Sequence, residues 1–165
     1  MAADQVTISG VAGSGRIGAL PDISRLSCDA RVAALLAACG LPTSDLEHPR
    51  AVQLFGIVEA RAPVAVCGLE VHGTAGLLRS LAVAGAQRGR GLGYALVRHA
   101  EIEAAKQGVI ELYLLTTTAA DFFARLGYAP TPRAEAPAAI AQTTQFSSLC
   151  PASSAFMRKA LTPPC

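Results

Sequence analysis

Apolar and polar positions alternate along some stretches of this chain and recur every three to four residues along others, and the switches between the two periods mark out its elements. Asp22 to Ser27 alternates loosely and predicts a short strand. Asp29 then stands where an N-cap belongs, for a helix from Ala30 to about Cys39 that Gly40 and Pro42 stop. Two β-rich runs follow, Ala51 to Glu59 and Val64 to His72, separated by Arg61-Ala62-Pro63, and they predict a hairpin. Gly73-Thr74 turns into a third strand, Leu77 to Val83, which completes an antiparallel meander.

The period changes after Gly85. A loop to Arg90 leads into Gly91 to Gln107, where Leu92, Ala95, Leu96, His99 and Ile102 share one helical face and Gly108 sits at the C′ position. Val109 to Thr116 predicts a strand, and Ala119 to Leu126 a short helix closed by Gly127. Tyr128 opens a short extended piece, Pro137 to Phe146 predicts a further helix, and Ser154 to Ala160 a last strand. The fold class is α+β with a mixed sheet and no internal repeat.

Composition narrows the picture. At 165 residues, 52% hydrophobic and 16% charged, the chain is expected to form one domain over residues 22–165, with a Gly-rich flexible extension over 1–21 that holds a short strand at Gln5 to Ser9. A net charge of +2 provides no polybasic surface, which argues against nucleic acid as a partner. The five cysteines are irregularly spaced and suggest neither a disulfide framework nor a metal site. Met1-Ala-Ala-Asp4 lacks the charged and apolar regions of a signal peptide, and the charge-free stretch from Ala136 to Met157 carries Pro137, Pro151 and many polar residues. A cytoplasmic protein without a membrane span is expected.

Two glycine clusters invite an anion-binding reading. Gly13-Ser14-Gly15-Arg16-Ile17-Gly18 matches G-x-G-x-x-G, but Pro21 interrupts the helix that a dinucleotide site needs after its last glycine. The second cluster, Gln87-Arg88-Gly89-Arg90-Gly91-Leu92-Gly93, lies between a strand and an amphipathic helix. Early helical N–H groups have no intrahelical acceptor and carry the positive end of the helix dipole, so a turn free of side chains can wrap its amides around a diphosphate. Gly93 is followed by Tyr94-Ala95 and not by Lys-Ser/Thr, which disfavours the ATP-binding P-loop.

Arg88, Gly91 and Gly93 spell Arg-x-x-Gly-x-Gly, which resembles the acyl-CoA pyrophosphate loop of the GNAT N-acetyltransferase superfamily. The order of elements from Asp22 to about Leu161 is similar to that superfamily, and Phe122-Phe123-Ala124-Arg125-Leu126-Gly127-Tyr128 looks like its second signature. Leu77-Leu78-Arg79-Ser80-Leu81, Leu114-Leu115-Thr116-Thr117-Thr118 and Leu149-Cys150-Pro151-Ala152 also resemble an arsenic-resistance-associated GNAT subgroup.

The resemblance implies a mostly antiparallel central sheet with helices on both faces and a splayed parallel pair formed by the strands at Leu77 to Val83 and Val109 to Thr116. It implies acetyl-CoA as cofactor, with backbone contacts from Leu81 and Val83 and diphosphate contacts from Arg88, Gly89, Arg90, Gly91 and Gly93. The implied reaction is attack of a small molecule's primary amine on the thioester, which needs a base. Glu70 is the candidate, with His72 on the same strand face open between a surface histidine and a second base. Arg79 interrupts an apolar strand, with Ser80 expected on the opposite face. It either joins an internal salt bridge, with Glu70 for instance, or recognises an acidic substrate group.

Two positions depart from the superfamily's pattern. Phe123 stands where many members carry a Tyr that protonates the departing thiolate, and Thr116 to Thr118 replace a frequent Asn, with Thr116 and Thr117 as candidate substrate contacts. His99 and Cys150 are expected to be packing residues. The acceptor suggested by the subgroup is a toxic amino acid bearing arsenic or phosphorus, like arsinothricin or phosphinothricin. A non-catalytic acyl-CoA-binding or interaction protein is the alternative, and homodimer formation stays open.

Overall fold

The computed structural model describes residues 20–46 and 52–163. The Gly13 to Gly18 motif, the short strand expected at Gln5 to Ser9 and the first residue of the strand expected from Ala51 lie outside the described residues. Seven strands form one sheet: β1 (Ser24–Leu26), β2 (Gln53–Glu59), β3 (Ala62–His72), β4 (Ala75–Val83), β5 (Glu111–Thr116), β6 (Ala129–Pro130) and β7 (Ala155–Ala160), in the order β1-β2-β3-β4-β5-β7-β6. All neighbours are antiparallel except β4 and β5, which run parallel.

The predicted caps hold. Asp29 accepts from the Arg31 and Val32 amides at 3.0 Å each and starts α1 (Ala30–Ala38), and those bonds keep its carboxyl below the usual range. Helix α2 (Leu92–Lys106) ends two residues before Gly108, whose φ of 88° suits a residue without Cβ. The two helices cover opposite faces of the sheet. Val32 and Leu36 of α1 pack with Leu54, Val66 and Ala82, whereas Leu92, Leu96, Val97 and Ala100 of α2 pack with Phe55, Cys67, Leu69 and Leu78. Alternation along β3 thus sends Val66 to one layer and Cys67 to the other.

Three local expectations need correction. The β2–β3 turn is Ala60-Arg61, both at positive φ (49° and 64°), and Pro63 already belongs to β3, opposite Val58 at a register shift. The helix expected from Pro137 to Phe146 is split into α4 (Ala138–Ala141) and a π-helical turn, Gln145–Leu149. Thr143 divides them, donating its hydroxyl to the Ile140 carbonyl at 2.7 Å, a side-chain bond that competes with regular helix. The third is a bulge in β4. Gly68 pairs with Arg79 and Val66 with Ala82, so Ser80 and Leu81 together oppose Cys67, and Ser80 takes a φ of 54°. Ser80 is therefore not simply opposite Arg79: its hydroxyl accepts from Arg79 Nε at 3.1 Å.

The bulge also ends the parallel ladder. β4 and β5 pair from Ala75↔Glu111 to Leu78↔Leu114 and no further. Beyond that point the strands splay, as expected, and residues 79–83 have no partner on β5.

Candidate active site

The splay opens a cleft of about 270 Å³. Leu78 to Leu81 of β4 form one wall, Leu114 to Thr117 and Phe123 the other. Gly40 to Pro42, Gln145, Leu149 to Pro151 and Ser154 close it. Residues from each of the stretches Leu77 to Leu81, Leu114 to Thr118 and Leu149 to Ala152 line this one cleft.

Beyond the end of β4, α2 begins after a turn of left-handed glycines. Gly89 and Gly91 have φ of 82° and 76°, and a Cβ at either would meet nothing within 4 Å, so the turn presents bare backbone to open space. The first helical bond of α2 runs from Ala95 N–H to Gly91 C=O at 3.1 Å, and no side chain caps the end. The N–H groups of residues 92–94 therefore lack intrahelical acceptors, where the dipole favours an anion. Arg88 Nε donates to the Val83 carbonyl at 3.3 Å, tying the turn to the end of β4. Arg90 pairs with Glu59 of β2 at 3.1 Å and with Gln87, at the rim of the turn. These features, together with the unpaired stretch of β4, fit an extended ligand with a diphosphate at one end.

Arg79 lines the cleft, and its guanidinium is held inside the protein. Nη2 donates to Asp45 Oδ1 at 2.7 Å, Nη1 donates to Asp45 Oδ2 and lies 3.4 Å from Glu70 Oε2, and Nε is bound by Ser80. The internal salt bridge to Glu70 exists, and Asp45 joins it. Glu70 is 6% exposed, lies 3.5 Å from His72 Nε2, and reaches the cleft wall only through Arg79. Asp45, seen in the sequence only as part of a polar connection, sits on the loop whose residues 40–42 line the cleft. Its partner is 34 residues away, and no local pattern announces such a pair.

Thr116 is buried, and its hydroxyl oxygen accepts from the Ala119 amide at 3.0 Å, fixing the start of α3 (Ala120–Arg125). Thr117 is exposed on the lining. Phe123 packs edge-on against Phe122 and Tyr128, with its ring on the cleft. Tyr128 is no substitute acid: its hydroxyl donates to Glu101 Oε1 at 3.1 Å, away from the lining, and burial raises its pKa far above the ordinary value. The Cys67 thiol is pushed up to about 12 by burial and is inert. Among the described residues no group of three or more His, Cys, Asp or Glu is placed to hold a metal. No helix among them is long and apolar enough to cross a membrane.

The family model described as an acetyltransferase (GNAT) domain matches residues 51–130, from the start of the hairpin to β6. Over those residues the chain is similar to a GNAT acetyltransferase domain. Its sheet, with one parallel pair among antiparallel neighbours, is the GNAT fold, and solved structures agree. An acetyltransferase of the GNAT family from Staphylococcus aureus is 14% identical at a TM-score of 0.69, over 86% of this chain and 100% of that one. N-acetylglutamate synthase from Neisseria gonorrhoeae, complexed with coenzyme A and N-acetyl-glutamate, is 17% identical at 0.69 over 86% of this chain. This chain spans 35% of the synthase's length. An aminoglycoside 6'-N-acetyltransferase complexed with coenzyme A is 18% identical at 0.64, over 87% of this chain and 99% of that one. At these identities the likeness is one of fold.

Proposed function

We propose that this GNAT domain transfers an acetyl group from acetyl-CoA to the primary amine of a small molecule. The observation that carries the reading is the continuity of uncapped helix end, unpaired β4 edge and cleft. The amides of residues 92–94, reached across Gly89 and Gly91, bind the diphosphate, with Arg88 and Arg90 beside it. Leu81 and Val83 offer backbone groups to the pantetheine arm, as an edge strand does to an added strand. Bound there, acetyl-CoA supplies the acyl thioester to be attacked.

The acceptor amine must lose a proton before its lone pair can attack. The C–N bond then forms, the nitrogen gives up its second proton to water, the C–S bond breaks, and the thiolate leaves. Asp45, Glu70 and Arg79 together carry one carboxylate more than they have cations, so their field favours an ammonium nearby and can receive its proton. Glu70 is the proposed base, acting through water because Arg79 separates it from the cleft. Phe123 has no proton to give, so the thiolate takes its proton from solvent, which its acidity near neutral pH permits.

The finer reading of the acceptor as an amino acid bearing an arsinate or phosphinate group rests on the three passages that meet at the cleft. Arg79 is the proposed recognition cation for the carboxylate beside the acceptor's amine, with Thr116 and Thr117 as hydroxyl contacts. The test is release of free CoA with a panel of amino acids and their arsenical and phosphinic analogues, alongside thermal unfolding with acetyl-CoA. At about 100 times its dissociation constant the ligand adds roughly 2.7 kcal/mol, on the order of 5 to 10 °C. Stabilisation without CoA release would indicate the non-catalytic acyl-CoA-binding protein. The absence of both would overturn the assignment.

A further inference from the structure

One polar group beside the cleft has no hydrogen-bond partner among the described residues. Ser154 is 6% exposed and lines the cleft, yet its Oγ is itself shut off from open space and makes no hydrogen bond to any described residue. A buried hydroxyl left unpaired is destabilising, and alanine would fill nearly the same volume without that penalty. Its place in the fold is fixed. The Ser154 amide donates to the Pro151 carbonyl at 2.9 Å, and the next residue, Ala155, pairs with Thr116 at the end of β5. Ser154 thus stands one strand beyond β5, on the far side of the cleft from Arg79.

Its surroundings are prepared for polarity. Gln145, 7% exposed, also lines the cleft and accepts from the Cys150 thiol at 3.3 Å. Thr116, whose oxygen already accepts from the Ala119 amide, retains a hydroxyl proton to donate. The rest of the lining at this end, Leu115, Leu149 and Pro151, is apolar. A pocket that is mainly apolar with a few converging polar groups fixes a ligand's orientation through those groups.

We propose that Ser154 is a specificity-determining residue, its hydroxyl turning about the Cα–Cβ bond into the cleft to donate its proton to an oxygen on the tail of the acceptor while the amine lies near β4. This rests on the acetyltransferase reading above. The acceptor class it names is an amino acid whose side chain ends in a carbonyl or acidic oxygen. An amino acid of equal length with a hydrocarbon end would leave the hydroxyl unpaired and be rejected.

The experiment compares wild type with S154A in two measurements. The first is thermal unfolding without ligand: S154A is expected to unfold at the same temperature as wild type or higher, because it removes an unpaired buried hydroxyl. A fall of several degrees would mean that the hydroxyl is already satisfied within the protein, which overturns the proposal. The second is steady-state acetylation of glutamate, glutamine and norvaline, which share a five-carbon chain. Wild type is expected to prefer glutamate or glutamine, and S154A to lose about tenfold of that preference in kcat/KM, with the KM for acetyl-CoA unchanged. An active wild type whose preference survives in S154A overturns this inference alone. A wild type that releases no CoA with any of the three overturns it too, and only silence across the wider panel of amines and analogues also removes the enzymatic reading.

Discussion

Arg79 joins two carboxylates that lie far apart in sequence: its guanidinium sits 2.7 Å from Asp45 on the loop after α1 and 3.4 Å from Glu70 on β3. The side chain of Arg79 is only 2% exposed, so the ion pairs stand out of water and hold the loop to the sheet beside the cleft. Removing the cation leaves two acidic groups without their counter-charge. R79M is expected to lose about 3–5 kcal/mol of stability in urea unfolding, and R79M/E70Q to recover part of it. Equal stability of R79M and wild type would show that the pairs contribute nothing.

Glu70 is expected to matter for chemistry more than for binding. E70Q keeps the side-chain shape and a hydrogen-bond acceptor for Arg79 but cannot take a proton. Its kcat is expected to fall on the order of 10²-fold while the KM for acetyl-CoA holds. An unchanged kcat would move the base elsewhere.

Gly91 separates backbone strain from ligand access. With φ at 76° and open space around a built Cβ, G91A is expected to cost about 1 kcal/mol in stability and to leave the fold intact. The added methyl stands where a diphosphate approaches the helix end, so acetyl-CoA should bind about tenfold more weakly by calorimetry, and binding at wild-type strength would place the diphosphate elsewhere.

Phe123 offers a gain-of-function test. F123Y places a phenol at the cleft wall, and its kcat is expected to exceed that of wild type most clearly at neutral pH, below the ordinary thiol pKa of about 8.5, where the departing thiolate takes up a proton. A pH–rate profile superimposable on that of wild type would mean that thiolate protonation does not limit turnover.

Tyr128 predicts alkaline behaviour. Desolvation and the adjacent Glu101 raise its folded pKa above the unfolded value near 10. The stabilisation is complete below about pH 10 and is lost as pH rises toward the folded pKa. Phenolate absorbance from Tyr128 is therefore expected only as the protein unfolds, and Y128F should lessen that alkaline loss.

The sequence carried the elements with strong local signals. Asp29, the recurrence of Leu92 and Leu96, and Gly108 announced α1 and α2 because caps and periodicity are short-range properties, but the face was drawn askew: Ile102 is half exposed, and Val97, Ala100 and Ala104 are buried instead. The glycine turn was legible for the same reason. The bulge was not, because Ser80 adopts a positive φ that its residue type does not advertise, held by packing between β3 and the splay. Asp45 was missed as the partner of Arg79, since only the folded sheet brings them together. Thr143 broke a predicted helix through one side-chain bond that periodicity does not register.

The parting of β4 from β5 puts a frayed margin in the middle of the sheet, whose outer strands β1 and β6 are already short. Amide protons of residues 79–83 that face the gap should trade with deuterated solvent faster than those of Ala75 to Leu78, whose segment remains laced to β5. A molecule stretched along that seam would quench the exchange, serving as the missing eighth strand for as long as it stays.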